Sequence, residues 1–214
     1  MIRLLKLFVV FLFIVFSVTK IHAEIIEQTN GNITNFVNTD DRIYQMEQLL
    51  EKLSYQEQVK LLDKALANPA SYEPIYYVAL ADSYFQTDKD KAVLIYMIGL
   101  LRSTQDIAMC EDISARAQMG IYPMFAPKTV EYMHSMNPKN FDKLKQDAVI
   151  WDQNHNNRVN PKWACYHGMA AFSGDVTIKP MSEYQETKKN DNRLFFTNDK
   201  PIIENLPFGR FSLS

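Results

Sequence analysis

Histidine, cysteine and acidic side chains are the groups from which this chain could build a reactive site, and few of them stand close together. Four histidines occur, His22, His134, His155 and His167, with two cysteines, Cys110 and Cys165. Cys165-Tyr166-His167 brings two candidate metal ligands within three positions. On a helix, however, positions i and i+2 point about 200° apart, so this pair does not share one metal. No HExxH, no clustered CxxC and no P-loop glycine pattern occurs. Neither a metal site nor a cofactor is therefore expected. Thiol catalysis would need Cys110 or Cys165 to meet a histidine in space, and neither cysteine stands in a recognisable catalytic signature. Serine chemistry has no GxSxG elbow to start from.

Carboxylates leave one concentrated stretch. Trp151, Asp152, His155 and Arg158 put an aromatic ring, an acid, an imidazole and a guanidinium within eight positions. That composition can bind a sugar or a peptide in a cleft. The competing reading is that Asp152 and the asparagines from 154 to 160 end a helix and solvate a loop. No catalytic residue is assigned, and these four are the candidate binding residues, because loops on rigid helices carry function disproportionately.

The elements that must position them read as helices. Asp40 and Asp41 offer N-cap chemistry to Ile43, Met46, Leu49, Leu50 and Leu53, which share one helical face. Ser54-Tyr55-Gln56-Glu57 is a capping box that restarts a helix through Val59, Leu62 and Leu66, ended by Asn68-Pro69. A helix through Gln105 to Met119 is expected, with Asp112 and Arg116 as an i, i+4 surface pair. Asn137-Pro138 opens a helix through Phe141, Leu144, Ala148 and Trp151; Asn160-Pro161 opens another through Trp163, Tyr166, Ala170 and Phe172, stopped by Gly174. From Asp175 periodicity fades. Leu194-Phe195-Phe196 and Phe208 through Phe211 suggest an irregular C-terminal extension, 175–214, packed along the bundle.

Between these lies the clearest helix pair. Pro74 precedes Tyr77, Leu80, Ala81 and Tyr84 on one stripe, and after Thr87-Asp88 the stripe Ala92, Tyr96, Gly99 faces them. Over about residues 74–103 this pattern resembles a single tetratricopeptide-like helix pair: aromatic, Leu, small residue and Tyr in the first helix, small, aromatic and small in the second. It departs in a turn one residue short and in lacking the closing proline, and no second copy follows. The resemblance implies close approach at Ala81, Ala92 and Gly99, and by analogy of fold alone the binding of peptides or proteins.

The expected fold class is thus all-α: a bundle of about six to seven helices over 40–174, preceded by a flexible segment at 24–39. Residues 1–23 read as a signal peptide. Arg3 and Lys6 form the basic start, Leu7 to Val18 is nearly unbroken apolar chain, and Ala23 supplies the small residue at a cleavage site. The apolar run is about a dozen residues, short of the roughly 20 that span a bilayer, so no stable membrane insertion is expected after cleavage. Asn32-Ile33-Thr34 is a glycosylation sequon, relevant only to a eukaryotic secretory route.

The whole chain carries 23 Lys plus Arg against 25 Asp plus Glu. Removing Arg3, Lys6 and Lys20 with the signal leaves 20 − 25 = −5. A mildly acidic protein has no electrostatic footprint for nucleic acid. In a periplasmic or secreted setting the even cysteine count favours a Cys110–Cys165 disulfide over two free thiols. The expected function is non-catalytic binding of another protein or peptide in the periplasm or cell envelope, possible roles including that of an immunity protein against an exported toxin. The competing class is an envelope-polymer hydrolase using a Cys/His or carboxylate site, to be recognised by an open cleft with convergent, perturbed acids.

Overall fold

The computed structural model describes residues 50–197. The segment 1–23 expected to be a signal peptide, the 24–39 segment, most of the helix expected over 43–53 and the apolar patch at 208–211 lie outside those residues. Within them the fold is all-α, with no strand among the described residues beyond a single isolated bridge between Cys110 and Ile178. No described helix is long and apolar enough to cross a membrane.

Helix α1 (Tyr55–Ala67) starts on the expected capping box: Glu57 N donates to Ser54 Oγ, and Ser54 N donates to Glu57 Oε2 at 2.8 Å. It buries Leu62 and Ala65 against α2 (Ile75–Leu80), and Tyr77 Oη donates to the Ala65 carbonyl at 2.9 Å. The first helix of the expected pair is not α-helical throughout; it tightens to 3-10 geometry over Ala81–Tyr84. That tightening aims Asp82 away from its own helix. Its carboxylate accepts from Thr129 N (2.8 Å) and Thr129 Oγ1 (2.7 Å), capping a helix that has no side-chain cap of its own, α5 (Pro127–Ser135).

Helix α3 (Lys89–Ala108) is the axis of the molecule. Asp88 caps it, and α2, α5 and three later helices, α6 (Pro138–Asn154), α7 (Lys162–Cys165) and α8 (Tyr184–Thr197), all pack on it. Its contact with α2 is close enough to need glycine. A Cβ at Gly99 would stand 2.7 Å from Val78 Cγ2 and 2.8 Å from Val78 N, and Ala81 and Ala92 are fully buried. Backbone cannot retreat as a flexible side chain can. Gly99→Ala is therefore expected to cost about 1–3 kcal/mol by overpacking, outweighing the helix propensity that alanine adds. A urea midpoint equal to that of the wild type would show that the two helices are not in close contact.

Four expectations are corrected downstream. The helix expected through Met119 ends at Ala108, and Ile113–Ile121 is a 3-10 segment. Asp112 does not form the i, i+4 pair with Arg116 there: it caps Ser114 N (2.9 Å) and accepts from Ala170 N (2.7 Å). After the short α4 (Tyr122–Phe125), the α5 helix and the Asn137-capped α6 (Pro138–Asn154), the helix expected from Pro161 to Phe172 is broken in two. Only α7 (Lys162–Cys165) and a 3-10 segment, Met169–Ser173, remain, split at Gly168, where a Cβ would collide with the Asp112 carboxylate. Gly174 closes the segment at φ 76°, the left-handed region expected of a C-terminal glycine. Finally, the C-terminal extension is not irregular throughout, since Tyr184–Thr197 forms helix α8.

Cys110 and Cys165 stand at bonding distance, S–S 2.06 Å, tying the end of α3 to α7. Both are buried, and among the described residues no cysteine is free.

Candidate functional site

The last turns of α3 and α6 run beside one another, and the polar residues on their facing sides meet in the interior. On α3, Arg102, Gln105 and Asp106 fall at i, i+3 and i+4, one face of the helix. All three are buried. On α6, Trp151 and His155 are four residues apart and stack, ring centroids 4.1 Å apart and 16° from parallel. His155 Nδ1 lies 2.7 Å from the Trp151 carbonyl, and Tyr77 meets Trp151 edge to face.

Asp152 is fully buried and faces three cations. Arg102 Nε donates to its Oδ1 at 2.9 Å, Arg158 donates to the same oxygen, and Lys188 Nζ lies 3.1 Å from Oδ2. Burial alone would raise its pKa. The charges of Arg158, Arg102 and Lys188 outweigh that and hold the carboxyl below its ordinary range. Asp106 is the second buried acid. It accepts from Trp163 Nε1 (2.8 Å), Tyr184 Oη (2.9 Å) and Arg158 Nη1 (3.4 Å). Here burial dominates and moves the pKa upward. Gln105 joins the two halves: Arg158 donates to its Oε1, and its Nε2 donates to Asp152 Oδ2 (3.3 Å) and Asn192 Oδ1 (2.6 Å). Arg102 completes the network by donating to the His155 carbonyl and resting over the Trp151 ring, 4.7 Å from its centroid.

The structure thus gathers all four sequence candidates, Trp151, Asp152, His155 and Arg158, at one place. It also gives each of them an internal partner. Asp152 and Arg158 are components of a buried ion network, and Trp151 and His155 cover its edge. The asparagine loop ends α6 as the alternative reading expected, yet it also delivers Arg158 into the interior. Arg102, Gln105, Asp106, Tyr184 and Lys188 escaped the sequence reading. One signal was present: a polar trio at helical spacing directly after the apolar run from Ala92 to Leu101, on the same helix, where a buried polar face needs partners.

This arrangement holds buried charges in place through internal partners. The two acids of this network, Asp106 and Asp152, are both wholly buried and both have displaced pKa values. Among the described residues no three His, Cys, Asp or Glu side chains gather as a metal-ligand group. The exposed face of the molecule offers a different feature. Ile113, Met169 and Phe172 are 75%, 68% and 86% exposed. Their two segments are stitched together by Asp112 to Ala170 N and by Ser114 Oγ to Met169 N, each 2.7 Å, beside the Cys110–Cys165 link. Comparison with protein-family models, with curated proteins and with solved structures finds no match for this chain.

Proposed function

We propose that this is an exported, non-catalytic binding protein that captures another protein in the periplasm or outside the cell. The observation that carries the reading is the apolar facet of Ile113, Met169 and Phe172. Single exposed apolar residues are ordinary. Three on two short segments joined by hydrogen bonds beside a disulfide supply the exposed apolar groups from which interfaces are built. The signal-like leader, the acidic net charge and the tetratricopeptide-like helix pair agree with such a role, and neutralisation of an exported toxin is its specific form.

The test is a photo-crosslinking side chain at position 172 in the exported protein. A single defined protein adduct is expected, lost when Ile113→Asp or Met169→Asp is added. Both aspartates lie on exposed sites and should shift stability by no more than about 0.5 kcal/mol. Absence of any adduct, or an adduct indifferent to both aspartates, overturns the reading.

A further inference from the structure

The buried network holds more positive than negative charge. Its cations are Arg102, Arg158 and Lys188, with side chains 1%, 7% and 8% exposed. Its acids are Asp106 and Asp152, and the balance is 3 − 2 = +1. Asp152 serves all three cations, and Asp106 serves only Arg158. Burial, with the repulsion of Arg158, pushes the Arg102 guanidinium below its usual range. Burial does the same to Lys188, where Arg158 and Arg102 repel against the pull of Asp152. Only at Arg158 do the two acids prevail over burial. Asp106 is itself moved upward by burial, which lowers its share of the compensation.

One donor is also unanswered. Arg158 Nη1 and Nη2 reach Asp106, Gln105 and Asp152, whereas its Nε, also buried, meets no acceptor among the described residues. Arg102, by contrast, spends its Nε on Asp152. Nε is the guanidinium nitrogen nearest the main chain, so this N–H is on the side of the network toward the 155–160 loop that carries Arg158. A buried N–H without an acceptor and a buried cation without a counter-charge are each costly. A water molecule would satisfy the donor and leave the charge; one anion answers both. We propose that the network binds a small monovalent anion of the chloride type at Arg158 Nε, as a structural counter-ion of the fold. A monovalent ion matches the excess of one. The site is separate from the Ile113–Met169–Phe172 facet, so it stands whether or not that facet binds a partner.

Thermal unfolding of the full-length protein in sodium chloride, with sodium gluconate keeping the ionic strength constant, tests the proposal. Constant ionic strength holds screening fixed, and gluconate is too bulky for a buried site. The melting temperature is expected to climb by about 3–6 °C for each tenfold rise in chloride above its dissociation constant, for a chain of this size. Bromide should act in place of chloride. Lys188→Gln removes the excess cation, leaves Asp152 its two guanidinium partners, and should flatten the climb. Where that variant does not fold, wild-type crystals grown in bromide decide, by anomalous scattering beside the Arg158 guanidinium. A melting temperature independent of chloride, a climb unchanged by Lys188→Gln, or no bromide signal at Arg158 overturns the proposal.

Discussion

Asp152→Asn is expected to lower the free energy of unfolding by about 3–5 kcal/mol at neutral pH, because it leaves buried cations without their counter-charge. Arg102 and Lys188 lie 2.9 and 3.1 Å from this carboxylate, Arg158 touches it, and the Asp152 side chain is wholly buried. The asparagine keeps the shape and one acceptor oxygen, so the loss reports charge rather than packing. The effect also has a pH signature. The folded protein holds the Asp152 pKa below its ordinary value. Its stabilisation is therefore complete above the unfolded pKa, about 3.9, and disappears as pH falls through the lower folded value. The variant lacks that contribution at every pH, so its deficit should shrink below about pH 4. Asp106 works in the opposite sense, since burial raises its pKa and protonation then favours the folded state. It makes the acid limb of the wild type shallower than Asp152 alone would. Urea unfolding of both proteins at pH 7 and pH 3 checks each part. A deficit under about 1 kcal/mol at pH 7 would mean that the pair behaves as a surface salt bridge.

Replacing Cys110 and Cys165 together by alanine should cost about 4 kcal/mol, the chain-entropy value for a closed loop of 55 residues. At about 2–4 °C per kcal/mol for a chain of this size, the melting temperature should fall by roughly 8–16 °C. Wild-type protein fully reduced before melting should fall by a similar amount. Alanine is the right replacement because both sites are buried, and serine would add an unsatisfied hydroxyl. A shift under about 3 °C would show that packing alone closes the loop.

Much of the fold was legible because local chemistry and tertiary structure agree. Ser54 with Glu57 and Asn137 cap the helices they were expected to cap. Gly99 marks a real close approach to Val78 on α2, Ala81 and Ala92 are fully buried, and the two cysteines meet. The failures have identifiable causes. Helix α8 was missed because periodicity is read from apolar residues, and the inward stripe among its described side chains is Tyr184, Lys188 and the half-buried Asn192. The helix expected through Phe172 broke because Asp112, distant in sequence, occupies the space beside Gly168 and captures Ala170 N. Asp112 itself looked like half of a surface ion pair, and nothing nearby in the chain shows that its partner lies 58 residues on. The candidate site was half legible for the same reason. Trp151 to Arg158 cluster in sequence, whereas Arg102, Gln105 and Asp106 join them across some 50 residues.

The central position of α3 governs how the protein comes apart. In a stack of helical repeats each unit meets only its neighbours, so ends can fray while the middle persists. Here one helix touches partners from both sides of the chain, from α2 before it to α8 near the end of the described residues. Among the described residues, losing α3 removes the platform of every other element packed on it. Unfolding of the helical body is therefore all-or-none, with the most slowly exchanging amides in α3. Truncation at any point within Lys89–Ala108 yields two fragments that do not fold alone, in place of two smaller domains.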